Sequence, residues 1–429
     1  MDRHGLRPRD DEGILLTSAL PTLGRRSLVI NRVLLLLLAV GIAGATGLAF
    51  LTHAPNRLIS GTGLSLVQVI GSGKGNFQAF ALMATLAPAL LLSAGVLMWP
   101  SRTAQVWVAV MAALLLTGLV WTAAAHAAKL ALPAADAAAD SVPGIARTSF
   151  GGAFWILFAA SWLAASDAIR KLGLKPGGRL LANTAVIAPV MFLIAAGALD
   201  QLSLFREYSN RKDVFNAALL QHTLLVVASL VFALLIGVPL GVASARNGRW
   251  INALRPALFA ALNTLQTLPS IALFGLLMAP LALLAASVPM LVQWGVKGVG
   301  LTPAVIALTL YSLLPVVRST AAGLAQTPRP VLDAALGMGL SRRQIFWRVQ
   351  APLALPVFLA GLRVATVQLI GLAVVAALIG AGGFGAIMFQ GLLGGALDLV
   401  LLGVAPVVAL AVLVDGLLKT VALSLARDF

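Results

Sequence analysis

Long apolar runs alternate with short stretches that gather arginine, proline and glycine along most of this chain. Ten runs are long enough to cross a membrane as helix: approximately 33–52, 78–99, 103–125, 151–169, 180–199, 218–244, 256–283, 301–317, 355–379 and 397–418. A helix of about 20 apolar residues spans the roughly 30 Å hydrocarbon layer. The pattern therefore predicts an all-α polytopic membrane protein with about ten transmembrane helices. Five fall in residues 1–215 and five in 216–429, and the hydrophilic stretch LFREYSNRKDVFN (204–216) marks the expected boundary. No sequence repeat relates the halves.

One polar island interrupts the second half: TPRPVLDAALGMGLSRRQIFWRVQAP, residues 327–352. Pro330 suits a first helical turn, where its missing N–H has no partner to lose. Asp333 is expected in that first turn, opposing the positive helix end. Ala334 and Ala335 favour helix and leave a thin surface for another chain. Gly339 permits the left-handed conformation that ends a helix. Ser341 with Gln344 reads as a capping box opening a second helix, and Pro352 as its stop. The expectation is helix, glycine turn, helix.

Composition sharpens this picture. Hydrophobic residues make up 60% of the 429-residue chain and charged residues 10%, far from the quarter or so of charged residues in a soluble domain. Cysteine is absent, which excludes disulfides, thiolate metal sites and cysteine nucleophiles. The formal net charge is +16. Its distribution is that of a topology signal and not of a nucleic-acid surface. Counting from a cytoplasmic N-terminus, Arg25, Arg26, Arg102, Arg170, Lys171, Arg179, Arg246, Arg255 and Arg318 fall inside. The outer loops hold few basic residues, most of them offset by acids such as Asp136, Asp200 and Glu207. Both termini and the 327–352 island are thus expected in the cytoplasm. The first apolar run follows a long Arg-rich lead and fills a full span, unlike a cleavable signal peptide.

Polar residues inside spans are candidates for a transport path. Thr264, Gln266, Thr267 and Ser270 flank Pro269, which removes a helix hydrogen bond, and Tyr311 and Ser312 precede Pro315. Broken helices can build a midplane path; hydroxyls that join neighbouring helices are the plainer account. Arg363, eight residues into its span, is a functional candidate or a side chain snorkelling to the interface. Asp415 and Lys419, four apart, suggest a structural ion pair.

Other patterns fall short of chemistry. GSGKG (71–75) lacks the first glycine of a phosphate loop, with Gln68 in its place, and Gly75 replaces the magnesium-binding hydroxyl. Gly380, Gly382 and Gly385 have no strand before them, so a sharp turn or re-entrant segment is expected, with Gly391 and Gly395 allowing close helix approach. The four histidines show no metal-ligand spacing, and neither a nucleophile elbow nor paired catalytic carboxylates occur in a plausible setting. The expectation is a transport protein, not an enzyme, with no metal and no cofactor of its own.

The island resembles the EAA signature of permease subunits in binding-protein-dependent ABC importers, through Asp333-Ala334-Ala335, Gly339, Val349, Ala351 and Pro352. Asp333 stands where glutamate is commoner, and Ala351-Pro352 where Leu-Pro is usual. The segments 262–275, 300–320 and 361–385 resemble permeases of glycine betaine, carnitine and choline importers, and the first half resembles the extra spans of Yeh-type glycine betaine permeases. The resemblance implies that the C-terminal five helices form a type I-like permease core in the bacterial inner membrane. It implies a docking role in ATPase coupling for Asp333, Ala334, Ala335, Gly339, Ser341, Arg342, Arg343 and Pro352. It also implies three partners: an ATPase subunit that binds ATP and magnesium, an external substrate-binding protein, and a second permease, identical or related. An ion-gradient-driven secondary transporter is the alternative. It would need ionisable groups deep in the spans, whereas Asp167 and Asp415 lie near inner ends.

Overall fold

A computed structural model describes residues 31–55, 61–71, 76–97, 101–131, 146–246, 248–293 and 295–425. The GSGKG segment lies almost entirely outside these residues. Among them, eight helices are long and apolar enough to cross a membrane, and three shorter apolar helices accompany them.

The first half begins with α1 (Arg32–Gly47), whose opening turn is capped by Asn31 accepting from the Leu34 N–H. This helix stops before the predicted limit at 52 because the chain turns into a small antiparallel sheet, which the apolar pattern did not predict. Its strands β1 (Leu51–Ala54), β2 (Thr62–Leu64) and β3 (Arg147–Phe150) lie in the order β2-β1-β3, with Leu51 opposite both Leu64 and Phe150. A short α2 (Leu66–Gly71) precedes α3 (Asn76–Leu97) and α4 (Arg102–Ala131); α5 (Gly152–Lys171) and α6 (Pro176–Ala195) follow β3. α4 is the central helix, packed by α3 and α5. The sheet is fastened to α5 by rings: Phe150 stacks on Phe154 at 3.9 Å, and Phe50 meets Phe154 edge-on at 5.8 Å.

The hydrophilic stretch expected as a boundary is folded. It forms α7 (Ser203–Asn210), which buries Glu207 and packs against the second half. There α8 (Lys212–Ala245) precedes α9 (Arg249–Thr267) and α10 (Ser270–Ser287), and the single predicted span 256–283 is broken between these two at Leu268–Pro269. A short α11 (Pro289–Gln293) leads to α12 (Leu301–Ala325), the central helix of this half, held between α8 and the helix that follows the island. Backbones approach closely here: a Cβ on Gly361 would meet the Ser319 Cβ at 2.1 Å, and one on Gly241 the Thr320 Cβ at 2.5 Å.

The island comprises α13 (Arg329–Gly337) and α14 (Arg342–Ile345). Two local expectations change. Asp333 lies beyond the first turn of α13, which begins at Arg329 and contains no acid. Pro352 does not end the second helix. α14 runs through a wide turn at Phe346–Gln350, where the Ala351 N–H donates to the Phe346 carbonyl, into α15 (Ala351–Val375). This five-residue hydrogen bond shifts the ladder just before the proline, so the chain stays helical from Arg342 to Ile379. A left-handed glycine cluster then gives the expected sharp turn, with Gly380, Gly382 and Gly383 at φ 80°, 76° and 76°. It launches the ten-residue α16 (Phe384–Leu393), too short to span, followed by α17 (Leu397–Leu425). Gly391 does allow close approach, since a Cβ there would lie 2.6 Å from the Val400 nitrogen; Gly395 serves a turn, at φ 62°.

Candidate functional site

Three constellations carry the residues singled out above. The first is the island. Gly339 adopts φ 78°, the left-handed conformation expected at the end of α13. The Ser341 hydroxyl accepts from the Gln344 N–H at 3.4 Å while the Gln344 side chain accepts from the Ser341 N–H at 2.8 Å, completing the capping box. Ala335 is buried beneath α13; Asp333, Ala334, Gly339, Ser341, Arg342 and Arg343 are exposed, and Pro352 is half-buried. Leu336, Met338 and Trp347 are also exposed, at 54%, 73% and 64%. These apolar side chains lie among exposed arginines on a loop outside the spans, and they escaped notice in the sequence because the surrounding charges defined the island. Apolar side chains left open beside charges on one loop are the composition of a protein contact.

The second constellation braces the broken span. Tyr311 is buried on α12, and its hydroxyl donates to the Leu268 carbonyl at 2.6 Å. Gln266 Nε2 donates to the Tyr311 carbonyl at 2.8 Å. Both bonds tie α12 to the broken span: one occupies the Leu268 carbonyl just before Pro269, the other the Tyr311 carbonyl, whose helical donor four residues on is replaced by Pro315. Thr264, Thr267 and Ser312 do neither job. Their hydroxyls bond the carbonyls of Ala260, Thr264 and Leu308 within their own helices. Ser270 opens α10 behind Pro269.

Arg363 forms the third constellation with Asp415. The guanidinium faces the carboxylate side-on, Nε to Oδ1 and Nη2 to Oδ2, the latter at 2.7 Å. The expected Asp415–Lys419 pair gives way to this cross-helix fork because Arg363 offers two aligned donors where Lys419 offers a point charge. Arg363 therefore neither snorkels alone nor joins Gln266 and Tyr311; it ties α15 to α17.

The far end of the bundle carries contacts absent from the sequence reading. Gln221 accepts from the Gly383 N–H at 3.0 Å, and Tyr208, Phe215 and Phe384 form a chain of rings with centroids 5.0 and 5.2 Å apart. The two halves meet here through polar groups, Ser149 donating to Asp398 at 2.8 Å and Arg211 to Gln390 at 3.1 Å, and beside them Arg147 of β3 pairs with Glu207 of α7 at 2.5 Å. Their separations in sequence, 249, 179 and 60 residues, left no local pattern to read.

Comparison with known proteins places this geometry. Residues 31–205 match the family described as the ABC transporter permease YehY, N-terminal domain, and residues 237–426 match the binding-protein-dependent transport system inner membrane component. The osmoprotectant import permease protein OsmW of Salmonella typhimurium is 39% identical over 198 residues, covering 46% of this chain and 85% of that protein. The glycine betaine/carnitine/choline transport system permease protein OpuCB of Bacillus subtilis is 34% identical over 198 residues, covering 46% and 82%. Among solved structures, the inward-facing MetNI methionine ABC transporter is similar over 50% of this chain and 98% of that one, with a TM-score of 0.43 at 22% identity.

Proposed function

This chain belongs to the binding-protein-dependent transport system inner membrane components, and we propose that it moves glycine betaine or a related osmoprotectant across the bacterial inner membrane. The cargo reading draws on relatives named for osmoprotectant, glycine betaine, carnitine and choline transport. The chain is a transport subunit: ATP and magnesium bind a separate ATPase, an external binding protein delivers the solute, and a second permease completes the path. Both termini and the island face the cytoplasm, in keeping with the charge asymmetry.

One observation carries the coupling role: the exposed island is continuous with a membrane span. An ATPase holding Leu336, Met338, Trp347, Arg342 and Arg343 would grip a helix that runs unbroken from Arg342 to Ile379. That helix also bears Arg363, tied to α17. Displacement of the island is thereby passed to two spans as a rigid body, which suits alternating access. The break at Leu268–Pro269, braced by Tyr311 and Gln266, is the element of the path best placed to yield. Residues 1–215 act as an accessory membrane region and 216–429 as the transport core.

Uptake of glycine betaine by vesicles holding the assembled transporter tests this reading. Transport is expected to follow internal ATP and to survive collapse of the ion gradients by an ionophore. Uptake that outlasts ATP depletion and dies with the ionophore would make the chain a secondary transporter.

A further inference from the structure

The end of the bundle that carries the island also holds a cleft with no role in the coupling scheme. It has a volume of about 660 Å³ and is bounded by the end of α8, by α9 and α12, and by the start of α13. Arg255, Arg318 and Arg329 line it, and among the described residues no carboxylate does. Arg255 donates one N–H to the Arg246 carbonyl at 3.2 Å, and Arg318 donates one to Asn263 Oδ1 at 3.2 Å. Both heads are thus anchored by neutral acceptors with further donors unused.

Two buried polar atoms in the same cleft have no partner: Arg255 Nε and the hydroxyl of Thr327, a residue only 7% exposed. Buried donors of this kind are nearly always satisfied. Two of them beside three cationic groups call for an acceptor that bears negative charge. Guanidinium forks match the oxygens of a phosphate in pairs. Ser244 and Gln350 add polar groups to the wall, while Phe259, Leu324 and Leu332 give it an apolar stretch, which a free hydrated ion would not use. Outside it, α9 exposes Leu254 at 65%. Arginine-lined pockets between membrane helices are suited to lipid headgroups.

We propose that this cleft binds an anionic phospholipid of the adjacent leaflet, its phosphate on Arg255, Arg318 and Thr327 and its glyceryl stem along Phe259 and Leu332. Because Arg329 and Leu332 belong to α13, a seated headgroup also fixes the first helix of the island against the bundle.

Native mass spectrometry of the full chain, titrated with phosphatidylglycerol or phosphatidylcholine, tests the site. Phosphatidylglycerol is expected to be retained about tenfold more strongly than phosphatidylcholine. R255Q/R318Q should lower that retention about tenfold. R342Q/R343Q removes two exposed arginines of the same end and should leave it unchanged. Thr327→Val should cause a smaller loss. Should the double variant fail to insert, Arg318→Gln alone, at an exposed position, reads the same effect. Equal retention of phosphatidylglycerol by wild type and Arg318→Gln or R255Q/R318Q overturns the site. Displacement of phosphatidylglycerol by millimolar inorganic phosphate, with no preference for the lipid, overturns the lipid as its ligand.

Discussion

Each half is organised around one central, largely buried helix, α4 or α12, yet the two differ in the polar contacts inside their spans. In the first half, the hydroxyls of Thr85, Thr117 and Ser161 fold back on the carbonyls of Ala81, Ala113 and Leu157, one turn earlier in the same helix. Packing between those helices is carried by apolar and aromatic side chains. In the second half polar groups reach across. Tyr311 and Gln266 bridge α12 and the broken span, Thr309 reaches the Ser229 carbonyl, Gln221 holds the turn before α16, and Arg363 grips Asp415. A locally satisfied hydroxyl lets its helix be repositioned without cost to the bond. A bond between helices makes motion of one bear on the other. These bonds link the helices of the second half for relative movement.

The largest effect is expected where such a link carries charge. Arg363→Leu takes from the Asp415 carboxylate its two-donor partner within a membrane span, where a carboxylate is costly to leave alone. Transport should be abolished and the melting temperature in detergent lowered. Ser161→Ala, in a local bond of the first half, should shift melting little. Exchange of the pair, Arg363→Asp with Asp415→Arg, should recover part of the stability. If it recovers none while both single variants melt like wild type, the cross-helix tie has no mechanical weight.

A matched pair of glycines sharpens the contrast next. Gly339 in the island and Gly173 between α5 and α6 are both exposed and left-handed, at φ 78° and 67°, with open space around a would-be Cβ. An aspartate costs about 1 kcal/mol of backbone strain at either position. Gly339→Asp is nevertheless expected to reduce ATP-driven uptake about tenfold, a barrier of roughly 1.4 kcal/mol, because it adds charge and bulk to the docking surface. Gly173→Asp should leave uptake near wild type. Equal uptake by the two variants would remove the island from the coupling step.

Much of this arrangement was legible in the sequence because it depends on short-range spacing. Nine of the ten apolar runs each found one helix and the tenth, 256–283, fell on two, while the Ser341–Gln344 capping box and the Gly339 turn formed where local chemistry put them. What escaped involves short strands of three or four residues, a helical turn that spans a proline, or partners far apart in the chain. β2 has only three residues and no apolar alternation to betray it. Pro352 misled because a wide helical turn just before it absorbed the missing donor. Arg363 and Asp415, 52 residues apart, looked like a lone charge and half of a local pair. Of the path candidates, Tyr311, Gln266 and Arg363 reach across to another helix or to the break; the hydroxyls of Thr264, Thr267 and Ser312 were singled out by residue type, which cannot reveal where a hydroxyl points.

The junction between the halves supplies a third, smaller test. Glu207 is 2% exposed and pairs with Arg147 from β3 at 2.5 Å, with Arg211 at 3.4 Å as a weaker second partner. Arg147→Ala should cost about 1–3 kcal/mol, the penalty for a buried acceptor stripped of its main donor. The loss should appear in melting and spare binding of the ATPase to the island, at the opposite end of the bundle. A chain starting near Leu204 loses the same partner and should still co-purify with the ATPase, more readily if Glu207→Gln neutralises the carboxylate that Arg147 had balanced. Loss of co-purification in that neutralised chain would join the first half to the transport core.

The smallest difference separates two neighbours on α12. Tyr311→Phe deletes the bond to the Leu268 carbonyl and nothing else of the ring, and Ser312→Ala deletes a bond to Leu308 in its own helix. Each hydroxyl contributes about 1 kcal/mol at most, so melting alone will hardly tell them apart. Uptake should. The Tyr311 bond ends on the carbonyl just before Pro269, where the span changes direction, so its loss frees the break to sample other angles. Tyr311→Phe is therefore expected to change the maximal uptake rate several-fold, and Ser312→Ala to leave it within error. If both variants transported like wild type, the break would be a fixed bend in the wall and not a moving part, and the relevant motion would have to lie in the rigid helix that begins at Arg342.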